Sequence, residues 1–242
     1  MVRTEKIFVA MISYNGKKYI KEQLDSIFLQ LEAQDEVIVS DDGSNDGTLN
    51  ILEEYQKTEP RLQVIKGPQR GIKKNVENAL KHCKGDIIFL ADQDDIWKPN
   101  KVERVLQVMK EQNGALVIHD AEVFHDNPKE ITMESFLTFR NAGAGVWKNI
   151  WKNGYIGCCM AFRKEVLEKV LPIPDSIEMH DQWIGILSDF YFGKSVFLKE
   201  ALLSYRRHGE NSSAMKHYGI PKMIRNRVVF LLRFLGRILH IC

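Results

Sequence analysis

Cysteine is scarce in this sequence of 242 residues, and the cysteines present are poorly spaced for a metal or disulfide framework. The 4 residues are Cys83, Cys158, Cys159 and Cys242, and this spacing matches no zinc-binding pattern. An adjacent pair is badly placed for a disulfide framework, so reduced thiols are the simplest account. The sequence therefore points away from a small disulfide-stapled fold and from a zinc module.

Long apolar runs and a dominant charge are also missing. No stretch is long and charge-free enough to span a bilayer convincingly, and the opening residues MVRTEK lack the apolar core of a signal peptide. The formal net charge of +2 excludes a strongly polycationic nucleic-acid binder. We therefore expect a cytoplasmic chain without a nucleic-acid partner, folded as one domain or one domain with a small appendage.

Short apolar runs do alternate with helical spacing through the first half of the chain. The predicted strands are 7–12, 36–40, 62–65 and 87–91, and the predicted helices are 19–31, 48–56, 72–82 and 99–112. This order predicts an α/β fold with a mostly parallel, doubly wound, Rossmann-like sheet. The alternation weakens after residue 113, where 115–118 and 155–162 are predicted strands and 164–170 and 182–191 predicted helices.

The acidic cluster Asp92-Gln93-Asp94-Asp95 follows the fourth predicted strand directly. Open α/β sheets bind ligands at the carboxyl ends of their strands. Carboxylates this close repel each other and resist burial unless a cation compensates. Oxygen ligands suit Mg²⁺ or Mn²⁺, so a metal site is one interpretation and an acidic surface turn is the other.

Polar loops follow two more of the predicted strands. Ser13-Tyr14-Asn15 follows the first strand and Asp41-Asp42-Gly43-Ser44 the second. In a parallel sheet these loops share an edge with the acidic cluster, which offers polar groups for a nucleotide base and ribose and carboxylates for a metal on its phosphates. Much later, His180-Asp181-Gln182-Trp183 opens an apolar helix.

Taken in order, these motifs resemble family 2 glycosyltransferases with the GT-A fold. The resemblance also includes Asn45-Asp46-Gly47-Thr48 and Gly85-Asp86, and it runs from residue 7 to about 213. The string Asp-Gln-Asp-Asp-Ile-Trp and the later Tyr-Arg-Arg-His-Gly at 205–209 look most like bacterial rhamnosyltransferase-type enzymes. The resemblance implies a glycosyltransferase domain at 1–219, with a nucleotide-binding half at about 1–113 and an acceptor half at about 114–219.

The resemblance also implies roles on the donor side. Asp41 or Asp42 would hydrogen-bond the base or ribose, although Asp-Gly-Ser is turn chemistry in any case. Asp94 would ligate the metal directly, Asp92 would reach the ribose or a metal-bound water, and Asp95 would instead cap the following segment. The remaining nucleotide-pocket residues implied are Ser13, Tyr14, Asn15 and Gln93, with the alternative that Asn15-Gly16 is only a turn.

Asp181 stands where the family places its catalytic base. The usual preceding carboxylate is replaced by His180, and the alternative role of Asp181 is to cap a helix beginning at Gln182. His208 is implied as a residue that closes over the metal or the diphosphate, while Arg206 and Arg207 meet the phosphates, one of them facing solvent.

Four residues complete the predicted pocket for the donor sugar and the acceptor. Gly157, in a predicted strand between the two pockets, would allow close approach of the sugar. Trp97 and Trp183 would stack on a sugar face, with burial in the core as the alternative. His180 is the fourth member.

Residues 220–242 form a predicted basic amphipathic helix with a broad apolar face. Its basic residues on one side are Lys222, Arg225, Arg233, Arg237 and His240. Such helices lie in the interface of anionic membranes, so we expect peripheral attachment to the inner face of the cell membrane. The alternatives are packing on the catalytic domain or a homodimer interface.

The sequence thus predicts an inverting, metal-dependent glycosyltransferase. It would move a hexose or deoxyhexose, from dTDP-rhamnose or a UDP-sugar, to a lipid-linked or growing surface polysaccharide. A sugar nucleotidyltransferase shares this architecture but opens with a Gly-rich phosphate loop where Ser13-Tyr14-Asn15-Gly16 stands here. A catalytically inactive nucleotide-sugar-binding scaffold is the other alternative.

Overall fold

The computed structural model describes residues 3–209 and 219–239. The strands are β1 Ile7–Ser13, β2 Glu36–Asp41, β3 Leu62–Lys66, β4 Ile87–Ala91, β5 Ile96–Trp97, β6 Leu116–Phe124, β7 Ile131–Met133, β8 Met160–Arg163 and β9 Val196–Arg206. The helices are α1 Ile20–Phe28, α2 Thr48–Thr58, α3 Ile72–His82, α4 Lys101–Glu111, α5 Phe136–Arg140, α6 Val146–Trp151, α7 Glu165–Val170, α8 His180–Phe192 and α9 Ile220–Ile238.

The first half of the chain forms a parallel sheet in the order β3-β2-β1-β4, as the βα alternation predicts. Apolar residues fill β1 and β4 because both faces of the sheet are covered there, whereas the edge strand β3 is buried only at Leu62. Ser13 pairs with Asp41, and Met11 pairs with Ala91, so the three strands end at one edge. This register brings the loops after β1, β2 and β4 together.

The second half, together with the short strand β5 of the first half, extends the same sheet with mixed pairing. β8 runs antiparallel to both β4 and β6, β9 is parallel to β6, and β5 closes the order antiparallel to β9. The α/β fold is confirmed, but the parallel pairing predicted for most of the sheet is concentrated in β1–β4. The eleven-residue β9 has no counterpart among the predicted strands.

The predicted strand at 155–162 is wrong over its first half. A 3₁₀ turn at Gly157–Cys159, closed by a 3.1 Å hydrogen bond from Cys159 N to Ile156 O, interrupts the extended chain before β8 begins. The turn swings Gly157 towards the first turn of α8. The predicted strand at 115–118 is too short, because β6 continues through the buried polar residues His119 and Asp120.

Helix α9 packs on the body of the protein through two phenylalanines. The Phe230 ring meets Trp183 edge-on at 5.8 Å, and the Phe234 ring meets Phe190 edge-on at 5.4 Å. Arg237 donates hydrogen bonds to the carbonyls of Lys169, Leu171 and Pro172 at the end of α7. No helix in the described ranges is both long and apolar enough to cross a membrane, and His240 lies outside those ranges.

Candidate active site

A cavity of about 930 Å³ opens at the edge where β1, β2 and β4 end. The loops after β1, β2 and β4 form one wall, and the 3₁₀ turn, α5 and the start of α8 form the other. The predicted site residues that line it are Ser13, Tyr14, Asn15, Asp42, Asp92, Gln93, Asp94, Gly157, His180, Asp181 and His208. The fold therefore brings residues from Ser13 to His208 together around one cavity.

Asp41 is buried beneath this wall and organises its turn. Its carboxylate accepts hydrogen bonds from Ser13 Oγ at 2.7 Å, from Ser44 Oγ at 2.6 Å, and from the backbone N–H groups of Gly43 and Ser44. Of the two roles predicted for Asp41, the structure shows turn formation. The same bonds fix the hydroxyl of Ser13 against β2.

Asp42 lies on the cavity and ties the loop after β2 to the loop before α3. Its two carboxylate oxygens accept from Gln69 N at 2.6 Å and from Gly71 N at 3.0 Å. Gly71 has φ of +80°, a conformation that glycine adopts without steric cost. Of the predicted pair, Asp42 is thus the residue that lines the cavity, and its contact with a nucleotide remains a prediction.

Gln93 clamps the backbone of Tyr14 from across the cavity wall. Its Oε1 accepts from Tyr14 N at 2.8 Å and its Nε2 donates to Tyr14 O at 2.9 Å. A Cβ on Gly16 would lie 2.3 Å from Gln93 Oε1, so glycine at position 16 makes this clamp possible. Gln93, predicted as a nucleotide contact, is therefore bonded to the loop after β1, and the nucleotide contacts of both remain predictions.

Asp94 and His208 meet, although 114 residues separate them. His208 Nε2 lies 2.7 Å from Asp94 Oδ2, and the imidazole packs on the ring of Tyr19 with 4.9 Å between centroids. A neutral imidazole and a carboxylate are both suitable ligands for Mn²⁺. The structure brings the two predicted metal ligands together, and their role as ligands remains a prediction.

Arg206 is turned inward, away from the phosphate position predicted for it. Its side chain is buried, donates from Nε to Asp94 O at 2.9 Å, and pairs with Glu22. The guanidinium carbon also lies 4.7 Å from the centroid of the Tyr19 ring. Arg206 therefore supports the Asp94 loop and is not among the residues that line the cavity, an arrangement that does not favour the predicted phosphate contact. Its half-buried neighbour Arg207 does not line the cavity either.

Asp95 is also placed differently from its predicted capping role. Its Oδ1 accepts from Arg206 N at 3.0 Å, while Oδ2 is buried and has no hydrogen-bond partner among the described residues. Burial, together with the neighbouring charges of Asp94 and Asp92, raises the pKa of Asp95 well above its ordinary value. Asp95 therefore joins the acidic loop to β9 and caps no helix.

Burial and the nearby carboxylates Asp94 and Asp181 raise the pKa of Asp92 to about 7. The fully buried ammonium of Lys101 provides opposite charge below this cluster, and burial lowers the pKa of Lys101 to about 8. Lys101 Nζ donates to Cys158 O at 3.3 Å and lies 4.0 Å from the centroid of the Trp97 ring. A cation bound next to Asp92 would offset the repulsion between these carboxylates.

The oxygen donors of the cluster fit a divalent cation. Ligand atoms of Asp92, Asp95 and Cys158 lie within 4.8 Å of one another. A hydrogen bond with Cys159 and burial raise the pKa of Cys158 well above its ordinary value, which keeps the thiol protonated. Because Mg²⁺ and Mn²⁺ prefer oxygen, the carboxylates suit them and this thiol does not.

Asp181 lies in the first turn of α8, on the wall opposite the donor loops. Its Oδ1 accepts from Asn153 Nδ2 at 3.0 Å and from Gln182 N at 2.6 Å. No hydrogen bond from elsewhere in residues 3–209 or 219–239 reaches Oδ2. One oxygen is held and the other is available to the cavity, which is the arrangement a proton acceptor needs. The helix begins at His180, so the predicted cap for a helix starting at Gln182 is only partly right.

His180 lies on the cavity beside the turn at Gly157. A Cβ on Gly157 would lie 2.9 Å from His180 Nε2, so glycine keeps space open next to this nitrogen. His180 Nδ1 is buried without a partner among the described residues, and burial lowers the pKa of the imidazole. A neutral ring with an unpaired Nδ1 favours the tautomer that carries its proton on Nε2, next to the open space.

Trp97 and Trp183 do not line the cavity. Both are buried in the core, where Trp183 Nε1 donates to Val170 O at 2.8 Å and the Trp97 ring packs on Phe89. Stacking of these two residues on a sugar is therefore wrong, and burial, the alternative, holds.

Several cavity residues escaped prediction from the sequence. Phe136 and Arg140 of α5 line the acceptor wall, together with Tyr155, Met179 and Tyr205. Asn153 was missed although it orients Asp181. The only sequence signal for this region is the turn pair Asn153-Gly154, because α5 and α6 have five and six residues and too little periodicity to detect.

The chain is similar in sequence to several known proteins. The family model for glycosyl transferase family 2 matches residues 8–171. The chain is 33% identical over 235 residues to the dTDP-rhamnosyl transferase RfbG of Shigella flexneri, covering 90% of this chain and 80% of that protein. It is 28% identical over 214 residues to an uncharacterized glycosyltransferase of Nostoc, covering 86% of this chain and 66% of that protein.

Solved structures of low sequence identity share the fold. S. aureus TarS 1–349 in complex with UDP-GlcNAc superposes with a TM-score of 0.69 at 20% identity, covering 94% of this chain and 66% of that chain. The Pyrobaculum calidifontis mannosyltransferase PcManGT, in complex with GDP-Man and Mn²⁺, gives 0.68 at 19% identity, covering 95% and 64%. The chain thus spans about two thirds of the length of these two proteins and of the Nostoc relative.

Proposed function

The chain belongs to glycosyl transferase family 2, and from this premise we propose that it is an inverting, metal-dependent enzyme that transfers a hexose or deoxyhexose from a nucleoside diphosphate sugar. The observation that carries the proposal is one cavity bounded by the Asp94–His208 pair on one wall and by Asp181 on the other. A donor bound at the strand ends would present its anomeric carbon between these two groups.

Asp181 would act as the general base. Its Oδ1 is fixed by Asn153 and by the backbone N–H of Gln182, which leaves Oδ2 to accept the proton of the attacking acceptor hydroxyl. A positioned carboxylate contributes about 10²- to 10⁴-fold to such a step. The attack displaces the diphosphate directly from the face opposite to it, so the anomeric configuration inverts without a covalent intermediate.

Asp94, Asp92 and His208 would hold Mg²⁺ or Mn²⁺ at the diphosphate. When bound, such an ion supplies Lewis-acid stabilisation of the charge that develops on the leaving nucleoside diphosphate. The chain's own contribution is to keep the loop in place: Arg206 bonds Asp94 O, and Asp95 bonds Arg206 N. Asp42 and the loop after β1 would hold the nucleoside, since they form the wall at the ends of β1 and β2.

The proposed donor is dTDP-rhamnose, with UDP-sugars as the alternative. Similarity to the dTDP-rhamnosyl transferase RfbG along 90% of the chain supports the first choice. The structural neighbours are complexes with UDP-GlcNAc and with GDP-Man, which supports only the broader class of nucleoside diphosphate sugars. The proposed acceptor is a lipid-linked or growing surface polysaccharide. Similarity to TuaG of Bacillus subtilis, a putative teichuronic acid biosynthesis glycosyltransferase, supports a polysaccharide acceptor.

A donor screen tests the proposal. The full chain would be incubated with dTDP-rhamnose and the common UDP-sugars, with Mg²⁺, with Mn²⁺ and with chelator, and release of nucleoside diphosphate would be measured. We expect metal-dependent release from one donor and its loss in Asp181→Asn. The inactive-scaffold alternative would be favoured if the wild-type protein bound a donor but released no nucleoside diphosphate in all of these conditions, also with a glycan acceptor present.

A further inference from the structure

Helix α9 leaves an apolar stripe facing away from the protein, although its other side is docked. Ile220, Ile224, Val228 and Leu232 recur every four residues and are each more than half exposed. Side chains at this spacing share one face of a helix. The buried Phe230 and Phe234 already provide the contact with the body, so the stripe is not needed for packing.

Two exposed tryptophans of α6 lie beside this stripe. Trp147 and Trp151 are 72% and 69% exposed, and their spacing of four residues places them on one side of α6. Arg227 of α9 donates from Nε to Trp151 O at 2.9 Å, and its guanidinium carbon lies 4.2 Å from the centroid of the Trp151 ring. Trp151 thus adjoins α9, and we name the two exposed tryptophans and the four stripe residues together the α6–α9 platform.

The two segments that carry the platform are basic, although the acidic side chain of Glu178, from outside them, accepts a hydrogen bond from Asn226 of α9. Residues 141–154 and 219–239 contain no aspartate or glutamate. The exposed cationic side chains in these two segments are Lys148, Lys152, Lys222, Arg225 and Arg233. Arg237, predicted from the sequence to belong to a membrane-facing basic side, is instead committed to backbone carbonyls of the body. The positive charge at the platform is thus carried by α6 as well as by α9.

We propose that the α6–α9 platform docks onto the surface of an anionic lipid bilayer. Tryptophan is favoured at the interface between headgroups and acyl chains, and apolar residues ringed by cations are typical of helices that lie in that layer. Anionic lipid complements the acid-free segments. A second copy of this chain would instead bring the same cations face to face across a symmetric interface.

Docking there would set the acceptor wall of the cavity near the lipid. Helix α5 directly precedes α6 in the chain, and its residues Phe136 and Arg140 line the cavity. Asp189 connects this region to α8, because its carboxylate accepts from Gly145 N and from the hydroxyl of Tyr155 at 2.7 Å. The platform goes beyond the proposed function and does not depend on it, since lipid binding is measurable without a donor.

Tryptophan fluorescence provides a direct test. The chain has 4 tryptophans, of which Trp97 and Trp183 are buried and the two platform residues are exposed. Full-length protein would be mixed with phosphatidylglycerol-containing vesicles whose acyl chains carry bromine at one depth. We expect sedimentation with these vesicles at low salt, release at high salt, and quenching of the exposed pair. The double variant Trp147→Phe, Trp151→Phe should lose the quenched component.

A second variant separates docking from folding. Ile224→Ser with Val228→Ser should weaken partitioning by at least about 10-fold, because each side chain loses apolar area available for insertion, while the melting temperature stays unchanged. Leu29→Ser, at an 86% exposed position at the end of α1, is the matched control and should leave binding unaltered. Wild-type protein that stays in the supernatant at low salt would overturn the proposal. So would a dimer that the Ile224/Val228 variant converts to monomer without any vesicle binding.

Discussion

At the scale of single residues, Asp94 carries two contacts at once. Its carboxylate meets His208, and its backbone carbonyl accepts from buried Arg206. Asp94→Asn keeps the side-chain shape and leaves the carbonyl bond in place, but it removes the charge that would hold a divalent cation. We expect transfer to be abolished and metal-dependent nucleotide binding to weaken, with an unchanged melting temperature.

Calorimetric titration of nucleoside diphosphate, with and without Mn²⁺, measures the effect of Asp94→Asn. The exposed Asp126→Asn is a suitable control for loss of one negative charge. If Asp94→Asn retained Mn²⁺-dependent affinity and full turnover, the metal role would have to be assigned elsewhere.

A second prediction concerns Asp181, on the cavity wall opposite Asp94. Asp181→Asn can still accept the hydrogen bonds of Asn153 and Gln182 through its remaining carbonyl oxygen, so the start of α8 should persist. Turnover should fall at least about 10²-fold, as expected for loss of a general base. Affinity for nucleoside diphosphate should not change. A parallel loss of affinity and of the folded state would instead make Asp181 a structural residue of α8.

The raised pKa of Asp92 predicts that the free energy of unfolding of the metal-free protein depends on pH. Its pKa is raised to about 7 by burial and by Asp94 and Asp181, against about 3.9 in the unfolded chain. Between these values the folded state binds the extra proton, so its stability relative to the unfolded state falls as pH rises from about 4 to about 7. Above pH 7 both states are deprotonated at Asp92 and the loss is complete.

Thermal unfolding in chelator from pH 5 to pH 8 measures this dependence. The wild type should lose stability relative to Asp92→Asn by at most about 1.4 kcal/mol per pH unit, the limit for one proton. Added Mn²⁺ should stabilise the wild type most at the high end of the range. Parallel curves for the two proteins would show that the Asp92 carboxylate ionises without cost.

At the scale of elements, two loops that are distant in sequence act as one unit. Gln93, in the loop after β4, holds both backbone polar groups of Tyr14 in the loop after β1. Gln93→Ala should therefore weaken nucleotide binding because the loop after β1 becomes less ordered, and not because a bond from Gln93 to the nucleotide is lost. Gly16→Ala should act through the same clamp, because its Cβ would displace the Gln93 amide.

A double-mutant cycle on nucleoside diphosphate affinity distinguishes the clamp from two separate effects. The double variant should be little worse than either single variant, since residues that share a contact give non-additive effects. Gln107→Ala, at an exposed position of α4, controls for loss of a glutamine side chain. Strictly additive losses would mean that Gln93 and Gly16 act independently.

The same elements show where prediction from sequence succeeds. In residues 1–113, each predicted strand of four to six residues is followed by turn residues, and the parallel pairing follows from the alternation with helices. The loops after β1, β2 and β4 could therefore be placed at one edge before any coordinates. Helix α3 and strand β4 have the predicted bounds.

Prediction fails where partners are remote or elements are short. β9 contains charged and small residues, Lys199, Glu200 and Ala201, within its run, and only its pairing with β6 and β5 makes it a strand. Buried Asp120 looks unfavourable within β6 until Ser135 Oγ and Leu137 N reach its carboxylate. The sequence likewise favours a phosphate contact for Arg206, because its actual partners, Glu22 and Asp94, are far away in sequence and cannot be recognised there.

At the scale of the whole molecule, α9 is both an outer surface and a cover for the core. Phe230 and Phe234 shield Trp183 and Phe190 of α8, the helix that begins with His180 and Asp181. Arg237 satisfies carbonyl groups where α7 ends. The sequence predicts 220–242 as a helix outside the glycosyltransferase domain, and in the structure these contacts join α9 to α7 and α8.

Deletion of residues 220–242 should therefore lower the melting temperature as well as release the protein from anionic vesicles. Loss of two buried phenylalanines typically costs about 3–5 kcal/mol each in a core, and Trp183 would gain exposure next to the proposed base. Thermal unfolding, with near-ultraviolet circular dichroism to follow the tryptophan, measures the effect. Ile224→Ser with Val228→Ser is the matched control, since it alters the outer stripe and spares both phenylalanines. A truncated protein with an unchanged melting temperature and intact donor turnover would show that α9 is a peripheral attachment, and that the start of α8 is stable without it.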